Sequence, residues 1–305
     1  MSDASSPRAR MLRLRSEAVR ALREFFHTRG FLEVETPVRL PAPALEPHID
    51  AVAAESLYLR TSPELHMKRL LAEGAAGALF QIGPCFRRGE RGPLHHPEFT
   101  LLEWYRAPGD ADAVLEDTRA LLPAVATAAR GRPSVRRAGR EIPLDGSWEI
   151  LSVRDAFRRW AGWDPVDAWD EDRFDLDLVD HVEPALPVDR PVVLRDYPAA
   201  AAALARLHPA DGRTAERWEL YLGGVELANA FTELTDASEQ RRRFEACARY
   251  RRARGRPVYP VDEPFLGALE RGLPPCGGIA LGVDRLVMLL AEAETLSGAC
   301  AFLEA

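Results

Sequence analysis

The chain has 305 residues, 47% of them hydrophobic and 29% charged, and a formal net charge of −7. This length is enough for one large core or two modest domains, and the composition is that of an ordinary globular protein. No run approaches the roughly 18 apolar residues of a membrane span, and the N-terminus lacks the apolar core of a secretory signal. The acidic balance argues against stable binding of nucleic acid, which normally needs a basic face. The four scattered cysteines indicate neither a disulfide framework nor a zinc site, and they suit the reduced cytoplasm.

The sequence patterns at the start of the chain predict secondary structure but no particular function. Residues 1–10 are small and polar and are expected to form a disordered tail. Apolar residues at helical spacing predict a helix over residues 11–29, followed by a short strand. A second helix is predicted after Ser62, with Glu64 in its first turn. A carboxylate at a helix start beside a strand end can bind a substrate ammonium, but the simpler interpretation is a well-capped helix.

A hairpin with a strongly basic loop is predicted over residues 79–105. Two apolar, strand-like runs flank a loop that Gly and Pro punctuate. The loop is a poor choice for stability, but its arginines present planar forks of donors that stay charged at any working pH. It is therefore a candidate for holding a polyphosphate, against the simpler interpretation of a solvated hairpin tip. Its charged residues and histidines are Arg87, Arg88, Glu90, Arg91, His95 and His96.

A second hairpin is predicted around the Gly-Gly pair at 223–224, a strong two-residue turn signal. In a regular hairpin Glu219 and Glu226 lie on the same face as diagonal neighbours, with Cβ atoms roughly 7 Å apart. Two such carboxylates in a partly buried sheet repel each other unless a cation lies between them, and oxygen ligands favour Mg²⁺. Asn229 would share this face only if a bulge interrupts the strand, and Glu233 lies further along. The alternative is a solvated acidic face, although large apolar residues flank both acids.

The remaining segments indicate secondary structure more than functional residues. Residues 131–215 show weak strand signals and an alanine-rich helix near 199–207, with no evident chemistry. Residues 239–254 predict a charged, exposed helix. A glycine-rich segment near the C-terminus then leads into an apolar, buried helix. Arg285 near the start of that helix opposes the helix dipole, so it is either functional or paired with Asp284.

Five segments taken together resemble the class II aminoacyl-tRNA synthetases. GFLEVETP is similar to their motif 1, FRRGE…HHPEFTLLEWY to motif 2 and GIALGVDRLVML to motif 3, while TSPELHMKRLL and ELYLGGVELANAFTELTDA are similar to the lysine-specific branch. The resemblance covers roughly residues 11–303. It implies an α+β fold, a class II catalytic core with a largely antiparallel sheet flanked by helices, which forms a homodimer through motif 1.

The resemblance also predicts the domain organisation and the reaction. Lysyl-tRNA synthetases carry an anticodon-binding OB-fold ahead of motif 1, where this sequence has about ten residues, so residues 11–305 are expected to form a single catalytic domain. That organisation is similar to stand-alone relatives that join (R)-β-lysine to a lysine of elongation factor P. Ala280, where the tRNA-charging enzymes usually have Gly, is a second similarity to them. The implied activity is an ATP-dependent ligation with Mg²⁺ through an aminoacyl-adenylate, with elongation factor P as the acceptor.

Carried over by position, the resemblance assigns roles to the residues singled out above. Catalysis, through the α-phosphate and the adenine, is assigned to Arg87 and Arg285. Contacts with ATP are assigned to Arg87, Glu90, His95, Phe99, Glu219 and Arg285, with Phe99 and Arg285 on either side of the adenine. Mg²⁺ is assigned to Glu219 and Glu226. The amino acid is expected to contact Ser62, Glu64, Tyr105, Asn229, Glu233 and Ala280, with one ammonium on Glu64 and the other on Glu233 and Tyr105.

Three departures from the family pattern bear on ATP binding, and two other functions stay open. Gly89 stands where the family has Glu, His96 where it has Asn, and Ala230 where it has Gly. Ala230 would be strained if its backbone had a positive φ. The second hypothesis is a minimal synthetase that charges tRNA or a small amine. The third is a catalytically inactive regulator that binds lysine or a nucleotide.

Overall fold

The structure is a computed structural model that describes residues 6–303. Within that range the helices are α1 (Pro7–Thr28), α2 (Glu64–Ala72), α3 (Ala111–Arg130), α4 (Val153–Trp160), α5 (Glu171–Asp177), α6 (Ala237–Ala253), α7 (Glu263–Gly272) and α8 (Val283–Leu290). The strands are β1 (Leu32–Glu33), β2 (Arg39–Leu40), β3 (Ala53–Ala54), β4 (Leu57–Leu59), β5 (Ala78–Phe86), β6 (Glu98–Arg106), β7 (Ser134–Arg137), β8 (Arg140–Pro143), β9 (Glu149–Ser152), β10 (Pro191–Pro198), β11 (Thr214–Leu222), β12 (Val225–Thr232) and β13 (Gly277–Gly282). None of the helices described has both the length and the apolar character needed to cross a membrane.

Eight strands form one sheet in the order β1-β5-β6-β13-β12-β11-β10-β9. Neighbours are antiparallel except at the two edges, where β1 pairs with β5 and β9 with β10 in parallel. The prediction of an α+β fold with a largely antiparallel sheet flanked by helices is confirmed. The two predicted hairpins are also confirmed, as β5–β6 and β11–β12.

The two faces of the sheet carry different helices because successive strand residues point to opposite sides. On the first face, Leu102 and Trp104 pack with α1, α3 and α8 in the largest apolar cluster. On the second face, Tyr105 packs with Leu65 of α2, Phe244 of α6 and residues of α7. Glu103 of β6 and Glu226 of β12 lie on this second face, so the helices above it form the walls of the candidate site.

The N-terminal boundary differs from the prediction. Helix α1 begins at Pro7, and the Ser6 side chain accepts a hydrogen bond from Ala9 N at 3.2 Å as its cap. The predicted disordered tail is therefore wrong for residues 7–10, and residues 1–5 lie outside the described part of the chain. The short strand predicted after α1 is present, but only over the two residues of β1.

The alanine-rich helix predicted near residues 199–207 is wrong. Only Ala199–Ala201 forms a 3-10 turn. The chain then runs beside the end of β12, where Arg206 N–H donates to the Thr232 carbonyl at 2.7 Å. Pairing with the sheet thus overrides the helix propensity of alanine. This places the segment in the wall of the candidate site.

The charged helix predicted over residues 239–254 corresponds to α6 but is not simply exposed. Gln240, Phe244 and Arg251 are buried, and Phe244 belongs to the apolar cluster on the second face of the sheet. Arg251 alone donates to three backbone carbonyls of the loop at 46–49. Helix α6 is therefore a wall of the site, held in place by a buried arginine.

Candidate active site

A cleft of about 930 Å³ opens on the second face of the sheet. Pockets for small ligands run from roughly 300 to 1,000 Å³, so this cleft has room for more than one ligand group. Nine of the thirteen predicted site residues line it: Arg87, Glu90, His95, Phe99, Glu219, Glu226, Asn229, Ala280 and Arg285. The other four, Ser62, Glu64, Tyr105 and Glu233, lie outside that lining, in a buried cluster described below.

A single row of paired residues crosses the floor of the cleft. Glu219 pairs with Asn229, Asn229 with Ala280, and Ala280 with Glu103. Directly paired residues of antiparallel strands point to the same face. The row exists because a bulge near the turn shifts the β11–β12 register by one residue. The bulge that Asn229 needs to share this face is thus present, and Glu219 pairs with Asn229, where a regular hairpin would pair it with Ala228.

Arg87 occupies the end of the cleft formed by the β5–β6 hairpin. Its guanidinium carbon lies 5.1 Å from the centroid of the Phe99 ring, and its Nη1 lies 3.7 Å from Glu90 Oε1. Its Nε is buried and has no hydrogen-bond partner. A buried donor without a partner is costly, so an anion bound here would satisfy it. The geometry therefore indicates an anion site at Arg87.

Arg285 is anchored at the same end of the cleft. Its Nη1 donates to the Glu226 carbonyl at 2.7 Å and its Nε to the Leu94 carbonyl at 3.2 Å, while Nη2 lies 2.8 Å from His95 Nε2. Burial and the charge of Arg285 lower the pKa of His95, which leaves a neutral ring able to accept. In this structure Arg87 is the arginine placed against Phe99. The adenine sandwich between Phe99 and Arg285 stays a prediction.

Asp284 has partners of its own and does not neutralise Arg285. Its Oδ1 pairs with Arg15 Nη1 at 2.6 Å, and its Oδ2 accepts from the backbone N–H of Thr100 at 2.7 Å. The alternative of an ion pair between Asp284 and Arg285 is therefore wrong. The carboxylate near Arg285 in the cleft is instead Glu226, 3.4 Å from its Nη1.

The two carboxylates of the second hairpin are held very differently. Glu219 is buried and accepts hydrogen bonds from Tyr197 Oη at 2.5 Å, Tyr221 Oη at 2.8 Å and Arg217 Nη2 at 2.5 Å. Glu226 has one weaker contact, 3.4 Å from the guanidinium of the anchored arginine. Partial withdrawal from water and the negative charge of Glu219 raise the pKa of Glu226 to about 7. A cation bound near Glu226, in addition to Arg285, would therefore be stabilised by this carboxylate.

Glu219 and Glu226 can bind a metal ion only together with other ligands. Among residues 6–303, no group of three or more His, Cys, Asp or Glu side chains is arranged to hold a metal ion. Mg²⁺ prefers one or two carboxylates completed by phosphate oxygens and water. The oxygen-only donors of Glu219 and Glu226 fit that requirement.

A buried group of polar side chains adjoins the floor of the cleft, and we call it the carboxylate cluster. Its members come from α2, β6 and the end of β12: Ser62, Glu64, Lys68, Glu103, Tyr105 and Glu233. Ser62 Oγ donates to Glu103 Oε1 at 2.6 Å, and Tyr105 Oη donates to Glu103 Oε2 at 3.1 Å. Lys68 Nζ donates to Glu64 Oε1 at 2.5 Å and forms an ion pair with Glu233.

The carboxylate cluster contains three acids and one cation. Burial and the charge of Glu64 raise the pKa of Glu103 to about 8, and burial raises the pKa of Glu233 to about 8 although Lys68 opposes it. Glu233 Oε1 has no hydrogen-bond partner. Buried carboxylates in excess over cations are stabilised by added positive charge. The cluster can therefore receive ammonium groups.

Small residues of β13 bring the cluster and the cleft together. Ala280 lies between Asn229 and Glu103 in the floor row. A Cβ added at Gly278 would lie only 2.1 Å from Glu233 Oε1, so only glycine fits there. Ala280, which lines the cleft, is thus the paired neighbour of Glu103 in the carboxylate cluster.

The three departures from the family pattern have structural consequences. Ala230 lies in β12 and its φ is not positive, so alanine is not strained there. Gly89 has a φ of +82°, and the neighbouring Glu90 lines the cleft. His96 is fixed by a 2.8 Å contact between its Nδ1 and the Glu98 carbonyl.

Sequence reasoning missed several residues of the site. Glu46 lines the cleft, and burial raises its pKa to about 7. Tyr197 and Arg217, which hold Glu219, were not singled out, because the contacts that give them a role depend on the folded sheet. Glu103 was also missed, although its alternation with apolar residues in LLEWY puts it on the face of Tyr105.

The chain is similar over nearly its whole length to a known protein family. Residues 3–304 match the family described as tRNA synthetases class II (D, K and N). The chain belongs to this family. The "Elongation factor P--(R)-beta-lysine ligase" of Hamiltonella defensa subsp. Acyrthosiphon pisum (strain 5AT) is 40% identical over 330 aligned residues, which cover 98% of this chain and 96% of that protein.

Other relatives carry the same name at similar identity. The protein of Proteus mirabilis (strain HI4320) is 41% identical over 321 aligned residues, covering 94% of this chain and 93% of that protein. The protein of Yersinia pestis (strain Pestoides F) is 39% identical over 330, covering 98% and 96%. The predicted resemblance to the class II synthetases is thereby confirmed over nearly the whole chain.

Proposed function

We propose that this chain is an ATP-dependent ligase that adenylates (R)-β-lysine and transfers it to a lysine of elongation factor P. The observation that carries the proposal is that the cleft with the partnerless donor of Arg87 shares its floor row with Glu103, a member of the carboxylate cluster. The donor of Arg87 suits an anion and the carboxylate cluster suits amines. The two proposed substrates, ATP and (R)-β-lysine, carry these groups. The name shared by near full-length relatives supports the choice of amino acid and acceptor.

In the first step a carboxylate oxygen of the amino acid attacks the α-phosphorus of ATP, the bond to the bridging oxygen breaks, and pyrophosphate leaves. Arg87 would donate its free N–H to the α-phosphate and stabilise the charge that develops there. Phe99 and Arg285 would hold the adenine, and Glu90 and His95 would contact the nucleotide. The buried Nε of Arg87 supports this assignment.

The amino acid would be recognised by its two ammonium groups. Glu64 would take one of them, and Glu233 with Tyr105 the other, while Ser62 holds Glu103 as a further acceptor. Asn229 would bind the substrate carboxylate, and the methyl group of Ala280 would bias the choice of amino acid by about 1–3 kcal/mol. Without two ammonium groups, buried acids would stay unpaired, so analogues that lack one should be rejected.

Glu219 and Glu226 would hold Mg²⁺, which when bound neutralises charge on the triphosphate. In the second step the amine nitrogen of the acceptor lysine attacks the acyl carbon, the bond to the adenylate oxygen breaks, AMP leaves and the amine loses a proton. Holding the adenylate in the cleft supplies orientation and requires no covalent enzyme intermediate.

We also propose that residues 11–305 act as one catalytic domain of a cytoplasmic homodimer. Strand β1 lies at an edge of the eight-stranded sheet, and its Leu32 is 46% exposed, which supports an interface through the motif 1 segment. Light scattering on the purified protein tests this assembly, and a monomeric mass would contradict it.

The proposed function is tested by the complete reaction. Purified protein is incubated with elongation factor P, ATP, Mg²⁺ and (R)-β-lysine, and the intact mass of the acceptor is measured. One aminoacyl addition is expected, and none on an acceptor whose target lysine is replaced by arginine. Aminoacylation of tRNA without modification of elongation factor P would instead support the minimal synthetase.

A further inference from the structure

Lys68 is the only lysine of this chain. Every other residue among the 40 lysines and arginines is an arginine. At most exposed positions either cation serves, but the two differ where a site needs a compact point charge in place of a planar fork. The single lysine therefore marks a position with a specific requirement, and its surroundings show what that requirement is.

Lys68 lies in the second turn of α2 and is 1% exposed. Its Nζ donates to Glu64 Oε1, one turn earlier on the same helix, at 2.5 Å. It also pairs with Glu233, at the end of β12, so it links the helix to the sheet. Although burial acts to lower it, the charges of Glu233 and Glu64 raise the pKa of Lys68, which keeps the side chain cationic.

The carboxylate cluster contains two more carboxyl groups than cations. Glu64, Glu103 and Glu233 carry up to three negative charges, and Lys68 carries one positive charge. The difference of two matches the two ammonium groups of a diamino acid. A single compact ammonium also leaves Glu233 Oε1 without a partner and open to a ligand. An arginine fork can engage both oxygens of a carboxylate at once and would remove that opening.

We propose that Lys68 is a positioning residue that holds Glu64 and Glu233 apart as two receptors and sets the cluster to accept two substrate ammonium groups. This inference rests on the proposed function, because it assigns Lys68 to the selection of the same amino acid. Lys68 touches neither ATP nor the reacting carboxylate in this scheme. Its loss should therefore change recognition of the amino acid and leave recognition of ATP intact.

The first test compares Lys68→Met with Arg69→Met, which removes the neighbouring, partly buried cation of the same helix. Pyrophosphate exchange is measured with (R)-β-lysine and with 3-aminohexanoic acid, which lacks the second amine. In Lys68→Met the KM for (R)-β-lysine is expected to rise about 30-fold, with KM for ATP unchanged, because Glu64 and Glu233 lose the charge-assisted contacts that hold them in place. The preference for two amines over one should fall about tenfold. Unchanged KM and preference in a folded Lys68→Met variant would overturn the inference.

Removing a buried cation can unfold a protein, so a second test needs no substitution. In wild-type protein labelled with ¹⁵N at lysine Nζ, every lysine side-chain signal comes from Lys68. Adding (R)-β-lysine is expected to shift this signal, and ATP alone to leave it in place. An unmoved signal at amino-acid concentrations that saturate pyrophosphate exchange overturns the inference while the proposed function stands. No exchange with any diamino acid overturns the proposed function itself.

Discussion

Gly278→Ala would insert a methyl group between two side chains assigned to a substrate ammonium. The new Cβ would lie 2.1 Å from Glu233 Oε1 and 2.3 Å from Tyr105 Cε1, where ordinary contacts begin at 3.4 Å. Both groups would therefore have to retreat by about 1 Å, which close packing resists. Glu233 and Tyr105 are 1% and 2% exposed, so neither can swing into solvent.

That displacement is expected to weaken binding of the amino acid more than binding of ATP. Overpacking costs about 1–3 kcal/mol of stability. A displaced hydrogen bond to a charged group costs about 1.5–3 kcal/mol in binding. At about 1.4 kcal/mol per tenfold, the KM for (R)-β-lysine is expected to rise about 10- to 100-fold. The KM for ATP should stay near the wild-type value, because Gly278 is absent from the lining of the cleft at Arg87.

Pyrophosphate exchange with each substrate varied in turn measures both values. Gly267→Ala in α7 is the matched control, because its added Cβ would meet only Arg271 Nη1 at 3.5 Å. An unchanged KM for the amino acid in Gly278→Ala would refute the placement of an ammonium between Glu233 and Tyr105. Equal rises in both KM values would indicate general distortion instead.

Three further changes test other parts of the site. Arg87→Met is expected to lower kcat for pyrophosphate exchange about 100-fold or more, because the developing charge loses its donor; a near wild-type rate would contradict the anion site. Glu103→Gln should stabilise the ligand-free protein at pH 9 but not at pH 5 in thermal unfolding, and equal effects at both would contradict its raised pKa. The sign follows because a carboxyl whose pKa rises from 4.5 to about 8 on folding binds more protons when folded, so stability falls as pH rises through that window. Arg242→Lys places an amine at the exposed rim of the cleft. Mass spectrometry should find this lysine acylated during turnover, whereas the buried Lys68 of the wild-type protein stays unmodified. An unmodified Arg242→Lys side chain would count against release of the adenylate toward that rim.

Local signals in the sequence were enough to predict the parts of the fold built from local interactions. The Gly-Gly pair at 223–224 has φ values of +58° and +76°, as a two-residue hairpin turn requires, and it placed β11 beside β12. The basic loop of the β5–β6 hairpin was likewise evident from its Gly and Pro residues. Both hairpins carry residues that line the cleft, so this part of its lining could be predicted.

Features that depend on distant parts of the chain could not be predicted in this way. The bulge in β12 that aligns Asn229 with Glu219 has no glycine or proline to mark it. The partners of Glu219 include Tyr197, which is 22 residues away on β10. Lys68 and Glu233 meet only because α2 packs over the end of β12. A charge pattern read along one segment cannot show such pairings.

Amino-acid-dependent ATP–pyrophosphate exchange by the wild-type protein measures whether this cleft activates a diamino acid. The substrates to compare are (R)-β-lysine, L-α-lysine, 3-aminohexanoic acid and no amino acid. Exchange should be strongest with (R)-β-lysine and close to background with the single-amine acid, because buried carboxylates then stay unpaired. Strongest exchange with L-α-lysine would favour the minimal synthetase. No exchange with either diamino acid would contradict the central claim that this cleft activates a diamino acid, and would leave the inactive regulator.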